Sequence, residues 1–352
     1  MFFSKKPKQT KMEMEILEQS SIIGSLISKY VENYVVTLDM PLIVRQVKII
    51  ASGSSYNCGL VAKTFFEKIA QTDTEVIFSG EFICSEKTPD KTVLYFFISQ
   101  SGETYDTTLA ARKVKEAGAR AYAIVNNENS TLWELCDYKI NINAKVENSI
   151  AATKSFSASI CALYLCALKI AQNKLLDTAQ YLKNIDEVQK NIESVLDLTL
   201  NIDKAAEFLS KYKAFSVIGQ GANYALAREC ALKIKETSYI DANSCSMGEF
   251  LHGHIAILNK IDTVVEIITS NFCNFEIKTL DKINDDYAPK SVVITDCQEK
   301  FRSKIAVVFP YSEDLLTRIL SVVFVVQMLS LKIALILNRN VDKPHGLSKV
   351  VS

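Results

Sequence analysis

The 352-residue chain carries no excess of charge of either sign, with Lys+Arg and Asp+Glu both at 40. A balanced chain offers no broad basic face to nucleic acid or to an anionic membrane. Its one basic run, Lys5-Lys6-Pro7-Lys8 with Lys11, is short and terminal and reads as a solvated end. The chain also lacks any Cys-x-x-Cys pair. Its nine cysteines (Cys58, Cys84, Cys136, Cys161, Cys166, Cys230, Cys245, Cys273 and Cys297) are odd in number, and most lie within apolar runs. That excludes a disulfide framework and points to reduced thiols in a cytosolic protein. No Gly-Lys-Ser/Thr is present to form a nucleotide P-loop, and Gly219-Gln220-Gly221 meets Tyr224 where the dinucleotide fingerprint needs its third glycine. The N-terminus turns polar too early for a signal peptide. The most apolar stretch, Ile319 to Leu337, is interrupted by Gln327, Ser330 and Lys332 and reads as a buried core helix, not a membrane span.

What is present is alternation. Residues 12–34 have helical spacing at Ile16, Ile23, Leu26, Ile27 and Tyr30. Short apolar runs then follow at Val47–Ile50, Val76–Phe78, Val93–Ile98, Ala121–Val125 and Tyr138–Ile142, with helical segments such as 57–70 and 104–117 between them. A long apolar helix over 154–172 closes this unit, and charge-rich helical sequence over 176–212 leads to a second one. There Phe215–Ile218, Val264–Thr269, Ser291–Thr295 and Ile305–Val308 read as strands, Ala222–Glu236 as a helix and 312–337 as the closing helix. Strands alternating with helices imply an α/β fold whose parallel sheets are covered on both faces. The length fits two domains. Gly53-Ser54-Ser55-Tyr56 and Gly221-Ala222-Asn223-Tyr224 each follow the first strand of a unit and enter a helix, which indicates duplication.

The loop Ser99-Gln100-Ser101-Gly102-Glu103-Thr104 follows a strand and opens a helix, at the edge where open parallel sheets bind ligands. A helix N-terminus offers unpaired N–H groups to an anion, and the hydroxyls of Ser99, Ser101 and Thr104 add donors. Ser52-Gly53-Ser54-Ser55 is a second loop of this type one strand away. Ordinary serine caps are the plain alternative for either loop alone, and two at adjacent strand ends weigh against it. In the second unit, Ser270-Asn271-Phe272 does not repeat the first loop in full.

Glu229, Lys233 and Glu236 share one face of the expected helix through i,i+4 and i,i+3 spacing. A surface salt-bridge ladder is the plain reading, an acid–base group at the ligand edge the functional one. Two of the three histidines stand in Gly248-Glu249-Phe250-Leu251-His252-Gly253-His254, and histidine moves protons near neutral pH. A structural hydrogen bond is the alternative for His252; a His-x-His metal site lacks a third ligand nearby. The tail Asp342-Lys343-Pro344-His345-Gly346-Leu347-Ser348-Lys349 is rich in turn formers. It is either loose or folded back so that Lys349 reaches a pocket.

Taken in order, these motifs resemble the isomerase half of glucosamine–fructose-6-phosphate aminotransferase and the stand-alone double-SIS deaminases and deglycases. The resemblance runs from Glu15-Ile16-Leu17-Glu18-Gln19 through the Ser99 loop, Ala231-Leu232-Lys233-Ile234-Lys235-Glu236 and Gly248–Gly253 to Asp342-Lys343-Pro344 and Lys349. It implies two tandem SIS domains, each a doubly wound, flavodoxin-like five-stranded parallel sheet. The expected limits are a helical segment over 1–44, domains over 45–195 and 196–340, and a tail over 341–352 that closes on the site. It implies phosphosugar binding by Gly53, Ser54, Ser55, Ser99, Gln100, Ser101, Thr104, Ala152 and Glu229. It gives Glu236 the role of the base between C1 and C2, Lys233 that of charge stabiliser, His252 that of ring opening in a partner subunit's site, and Lys349 that of a Schiff-base lysine.

The departures direct the expected activity. With no cysteine at position 2 and no glutaminase half, glutamine hydrolysis is not expected. Ala152 stands where the synthase has serine, which favours the catabolic deaminase or deglycase branch, and His254 replaces the usual proline. The expectation is a cytoplasmic homodimer, with neither metal nor organic cofactor, acting on a ketose- or aminosugar-6-phosphate with loss of an amine. The alternatives are an ammonia-dependent glucosamine-6-phosphate synthase or a silent sugar-phosphate sensor. About 45 residues precede the first strand, without a basic recognition helix, which weighs against a DNA-binding sensor.

Overall fold

A computed structural model describes residues 9–196, 199–259, 263–270, 274–297 and 301–349. The basic run over 5–8 and the segment 271–273, with Cys273, lie outside the described residues. The first sheet holds Gln46–Ala51, Asp73–Phe78, Val93–Ser99, Arg120–Val125 and Tyr138–Asn141. The second holds Ala214–Gly219, Asp241–Ser246, Thr263–Ile268, Lys290–Thr295 and Ile305–Val308. Every pairing within both sheets is parallel. Counting strands within each unit, both sheets run 2-1-3-4-5. This is the doubly wound, flavodoxin-like order, and its switch point falls between strands 1 and 3.

The expected strands are present, and Val93–Ser99 is buried at every position, as a doubly covered central strand requires. The structure differs from expectation in two places. The helix read over 12–34 is two, Lys11–Leu17 and Gln19–Tyr30, followed by a small hairpin of Val31–Glu32 and Val35–Val36. The strand Asp241–Ser246 was not expected. Its sequence, Asp-Ala-Asn-Ser-Cys-Ser, has no apolar run, because an edge strand needs little burial.

The helices Lys154–Asn173 and Leu315–Ile336 have the length and composition of membrane spans, yet their apolar windows are 89% and 83% buried inside the protein. They are core helices and join both units in one continuous apolar cluster. Seven of the eight described cysteines are buried, four of them in this cluster, while Cys84 is exposed.

One buried carboxyl is left without a full set of hydrogen-bond partners among the described residues. Burial pushes the carboxyl of Glu266, on Thr263–Ile268, up to about 8, and its Oε1 has no hydrogen-bond partner among the described residues. An unfolded glutamate ionises near pH ~4.3. Between there and about 8 the native state holds a proton that the unfolded chain has released, so stability falls as pH rises through that window. Glu266→Gln removes the dependence. Thermal melts should match wild type near pH ~5 and show the variant more stable near pH ~8, by a few kcal/mol in order of magnitude. Parallel curves at both pH values would show that Glu266 is not held protonated.

Candidate active site

The two loops singled out in the sequence lie at the switch point of the first sheet. Gly53 has φ +58°, a left-handed turn that glycine adopts freely, and it bends the chain from Gln46–Ala51 into the helix Gly53–Lys68. Beside it, Ser99 ends its strand and Thr104 caps the helix Tyr105–Glu116. Within the loop, Gly102 N–H donates to Ser99 Oγ at 3.1 Å, Ser99 Oγ lies 2.7 Å from Thr104 Oγ1, and Glu103 N–H donates to Ser101 Oγ at 3.1 Å. Gly102 has φ +71°, and a Cβ there would fall 2.1 Å from Ser130 Oγ, so the loop shape depends on this glycine. The Glu103 side chain turns away and accepts from Thr131 N–H and Oγ1.

A cleft of about 450 Å³ opens over these loops. Its walls bring together Gly53, Ser54, Ser55, Ser99, Gln100, Ser101, Thr104, Ala152, Lys233, Glu236 and Lys349. The first eight come from the first unit, Lys233 and Glu236 from the helix Ala222–Ser238 of the second, and Lys349 from the tail. The cleft thus lies between the units, with hydroxyl donors on one side and a carboxylate–ammonium pair on the other.

Glu229, Lys233 and Glu236 do share a helix face, but it is no surface ladder. The side chains of Glu229 and Lys233 are 0% and 1% exposed, and that of Glu236 is 21% exposed where it meets the cleft. Lys233 Nζ lies 3.5 Å from Glu229 Oε1 and donates to Glu236 Oε2. Glu229 also accepts from Ser54 Oγ at 3.0 Å and from Asn57 Nδ2 at 2.8 Å. It therefore links the two units beneath the cleft. Burial holds the Glu229 carboxyl above its usual range although Lys233, Asn57 and Ser54 oppose this. For Lys233, burial acts downward, but Glu236 and Glu229 outweigh it and keep the ammonium above the ordinary lysine range. The pair thus presents a fixed positive charge beside a partly exposed carboxylate.

Several lining residues escaped the sequence reading. Asp106, in the first turn of Tyr105–Glu116, accepts from Ser52 Oγ at 2.6 Å through its Oδ2. More consequential is Glu147, which is buried in the segment after Tyr138–Asn141. It accepts from Thr153 N–H and Ser155 N–H, both at 3.0 Å, from Ser155 Oγ at 2.7 Å, and from Lys349 Nζ. Burial acts to raise its carboxyl, but the Lys349 charge and these donors hold it below the usual range. A lone acid in coil matches no motif; its position past the last strand of the sheet was the available signal. Glu15 steadies the same segment by accepting from Ser149 N–H.

Lys349 also donates to Ser149 O at 2.8 Å, and the tail is tied further back by Asp342, which accepts from Lys11 N–H and Met12 N–H. The tail is thus folded onto the cleft, with the lysine's amine facing Glu147. His252 is not brought to the cleft of its own chain: it is exposed, just past the short helix Met247–Phe250.

Two parallel five-stranded sheets, with a hydroxyl-lined cleft at the switch point of the first, make a duplicated, doubly wound α/β architecture. The SIS domain family model matches residues 44–169 and 208–336, and the chain belongs to that family. Among curated proteins it is 33% identical over 313 residues to glutamine–fructose-6-phosphate aminotransferase of Aquifex aeolicus, covering 88% of this chain and 52% of that protein. It is 32% identical to the protein of that name from Oceanobacillus iheyensis, covering 97% and 58%. The chain therefore spans little more than half the length of these relatives. Among solved structures, the C-terminal domain of glucosamine-fructose-6-phosphate aminotransferase from Francisella tularensis superposes with a TM-score of 0.88 at 28% identity, covering 97% of this chain and all of that one. Glucosamine-6-phosphate deaminase from Thermotoga maritima shares the fold with a TM-score of 0.78 at 24% identity, covering 97% and 99%.

Proposed function

We propose that the chain is a phosphosugar isomerase that acts on an aminosugar- or ketose-6-phosphate and couples isomerisation to loss of an amine. One observation carries this reading: Glu236 and its partner Lys233 face, across one cleft, the hydroxyl loops Ser52–Ser55 and Ser99–Thr104. The phosphate sits at the helix N-terminus behind Thr104, where N–H groups and hydroxyls meet it. The sugar then extends toward Glu236. With open-chain glucosamine-6-phosphate, Glu236 takes the C2 proton and returns it at C1, and the Lys233 ammonium offsets charge developing on oxygen. The resulting C2 imine adds water and releases ammonia, leaving fructose-6-phosphate. A fructosamine 6-phosphate would lose its amine by the same proton movement in the other direction. Lys349 forms a Schiff base with a ketose only after its amine leaves Glu147. The site as read needs no metal or organic cofactor.

The assay follows ammonia and fructose-6-phosphate formed by purified protein from glucosamine-6-phosphate. Turnover that disappears in Glu236→Gln supports the reading; full turnover in that variant on every accepted substrate overturns it. The names of the curated relatives favour a second reading, synthesis in the reverse sense. Glucosamine-6-phosphate formation from fructose-6-phosphate and ammonia, without net deamination, would select it.

We further propose a soluble cytoplasmic homodimer in which His252 reaches the partner's cleft. Neither Glu236→Gln nor His252→Ala alone should turn over at more than a small fraction of wild type. Mixing the two should restore about a quarter of wild-type activity, because each mixed dimer keeps one intact site. No recovery on mixing would place His252 outside the partner's site.

A further inference from the structure

The second sheet has a switch point of its own, and a crevice of about 300 Å³ opens there. Its walls include Gln220, Gly221, Ala222 and Asn223 after the first strand of the unit, and Thr269 after the third. These are the topological positions of Ser52–Ser55 and Ser99 in the first unit. Gly221 repeats the turn of Gly53, with φ +57° against +58°, and starts the 17-residue helix Ala222–Ser238. The exchange between units is reciprocal. The first cleft receives Lys233 and Glu236 from the second unit's helix, and the second crevice receives Thr64 and Lys68 from Gly53–Lys68. Gly53 and Gly221 are 168 positions apart, and the same offset carries Glu236 onto Lys68. The place of the base is taken by a cation.

A second observation shows what such a crevice would hold. Arg318, on Leu315–Ile336, lines it at only 5% exposure. Its Nη1 donates to Ser270 Oγ at 3.3 Å and Ser312 O at 3.2 Å, both neutral oxygens, and no described carboxylate forms an ion pair with it. Asp314 feels its charge but is occupied at Thr317 N–H, and Asp296 is occupied by Ser270. Asp314 offsets this buried charge only from beyond direct contact, and an anion in the crevice would pair with it directly. Glu276, also on the wall and already partnered, is an acceptor suited to a hydroxyl.

We propose that this crevice is a second, non-catalytic site for a small phosphorylated polyol. Its phosphate lies between Arg318, Lys68 and the helix N-terminus at Gly221, and its hydroxyls face Glu276. The site has no counterpart of Glu236 and binds without turnover. It stands apart from the activity proposed above, since it shares no residue with the first cleft.

The test uses calorimetric titration with glucose-6-phosphate and with inorganic phosphate. The full chain should bind two equivalents of sugar phosphate. Ser101→Glu, which places a carboxylate in the first loop, should leave one equivalent. In that background Lys68→Glu, a rim substitution on an exposed side chain, should weaken the remaining site about tenfold, and Arg318→Gln should abolish it. Inorganic phosphate should compete at that site. The proposal is overturned if the Ser101→Glu protein binds neither probe, or if Lys68→Glu leaves its residual binding unchanged. Loss of activity in Ser101→Glu reports on the first cleft alone, so the two readings fail separately.

Discussion

Glu236→Gln should lower turnover on an accepted phosphosugar by about 10²–10⁴-fold while leaving the fold and the substrate's KM nearly unchanged. The amide has the same shape and still accepts from Lys233, so the buried network keeps its geometry. It cannot take a proton from carbon. In the proposed reading the phosphate is held by the other unit's loops, which line the far side of the cleft, so binding should survive the loss. A large rise in KM with unchanged kcat would assign Glu236 to binding instead of proton transfer. Steady-state kinetics on wild type and variant, with melting curves as a folding control, decide this.

Lys233→Met should be damaging in a different way. It removes the only cation that the described residues place beside the fully buried carboxylate of Glu229. Breaking one side of a buried ion pair costs about 3–5 kcal/mol. Part of that cost should be recoverable by protonation. Without Lys233, burial raises the Glu229 carboxyl further, so the folded variant carries a proton that the unfolded chain releases above pH ~4.3. Its stability should therefore fall as pH rises from there toward neutrality, more steeply than in wild type. The double variant Lys233→Met, Glu229→Gln should regain most of the stability yet remain inactive, because no cation then stands beside Glu236. Denaturant unfolding at acidic and neutral pH reads the first effect and turnover the second. Recovered activity in the double variant would show that Lys233 acts only by neutralising Glu229.

The sequence made the repeated architecture readable because buried parallel strands leave continuous apolar runs. Val93–Ser99 and Thr263–Ile268 are buried throughout and stand out for that reason. Asp241–Ser246, an edge strand with alternating small polar residues, leaves no such trace. The hydroxyl loops and the Glu229–Lys233–Glu236 face were legible because each depends on local spacing. Contacts between distant segments were not. Nothing in the spacing of Glu147 and Lys349, 202 positions apart, announces that they pair, nor that Asp342 would accept from the first helix. The burial of Glu229 likewise depends on how two units dock, which periodicity along one helix does not encode.

The link between Ser54 and Glu229 joins residues 175 positions apart, whereas each sheet is assembled from neighbouring stretches of its own unit. Closing so long a loop is entropically slow compared with forming either sheet. During refolding from denaturant, secondary structure should therefore return well before the cleft exists. Recovery of enzyme activity should lag behind the recovery of circular dichroism, and weakening the inter-unit contact with Asn57→Ala should widen that lag without delaying either sheet.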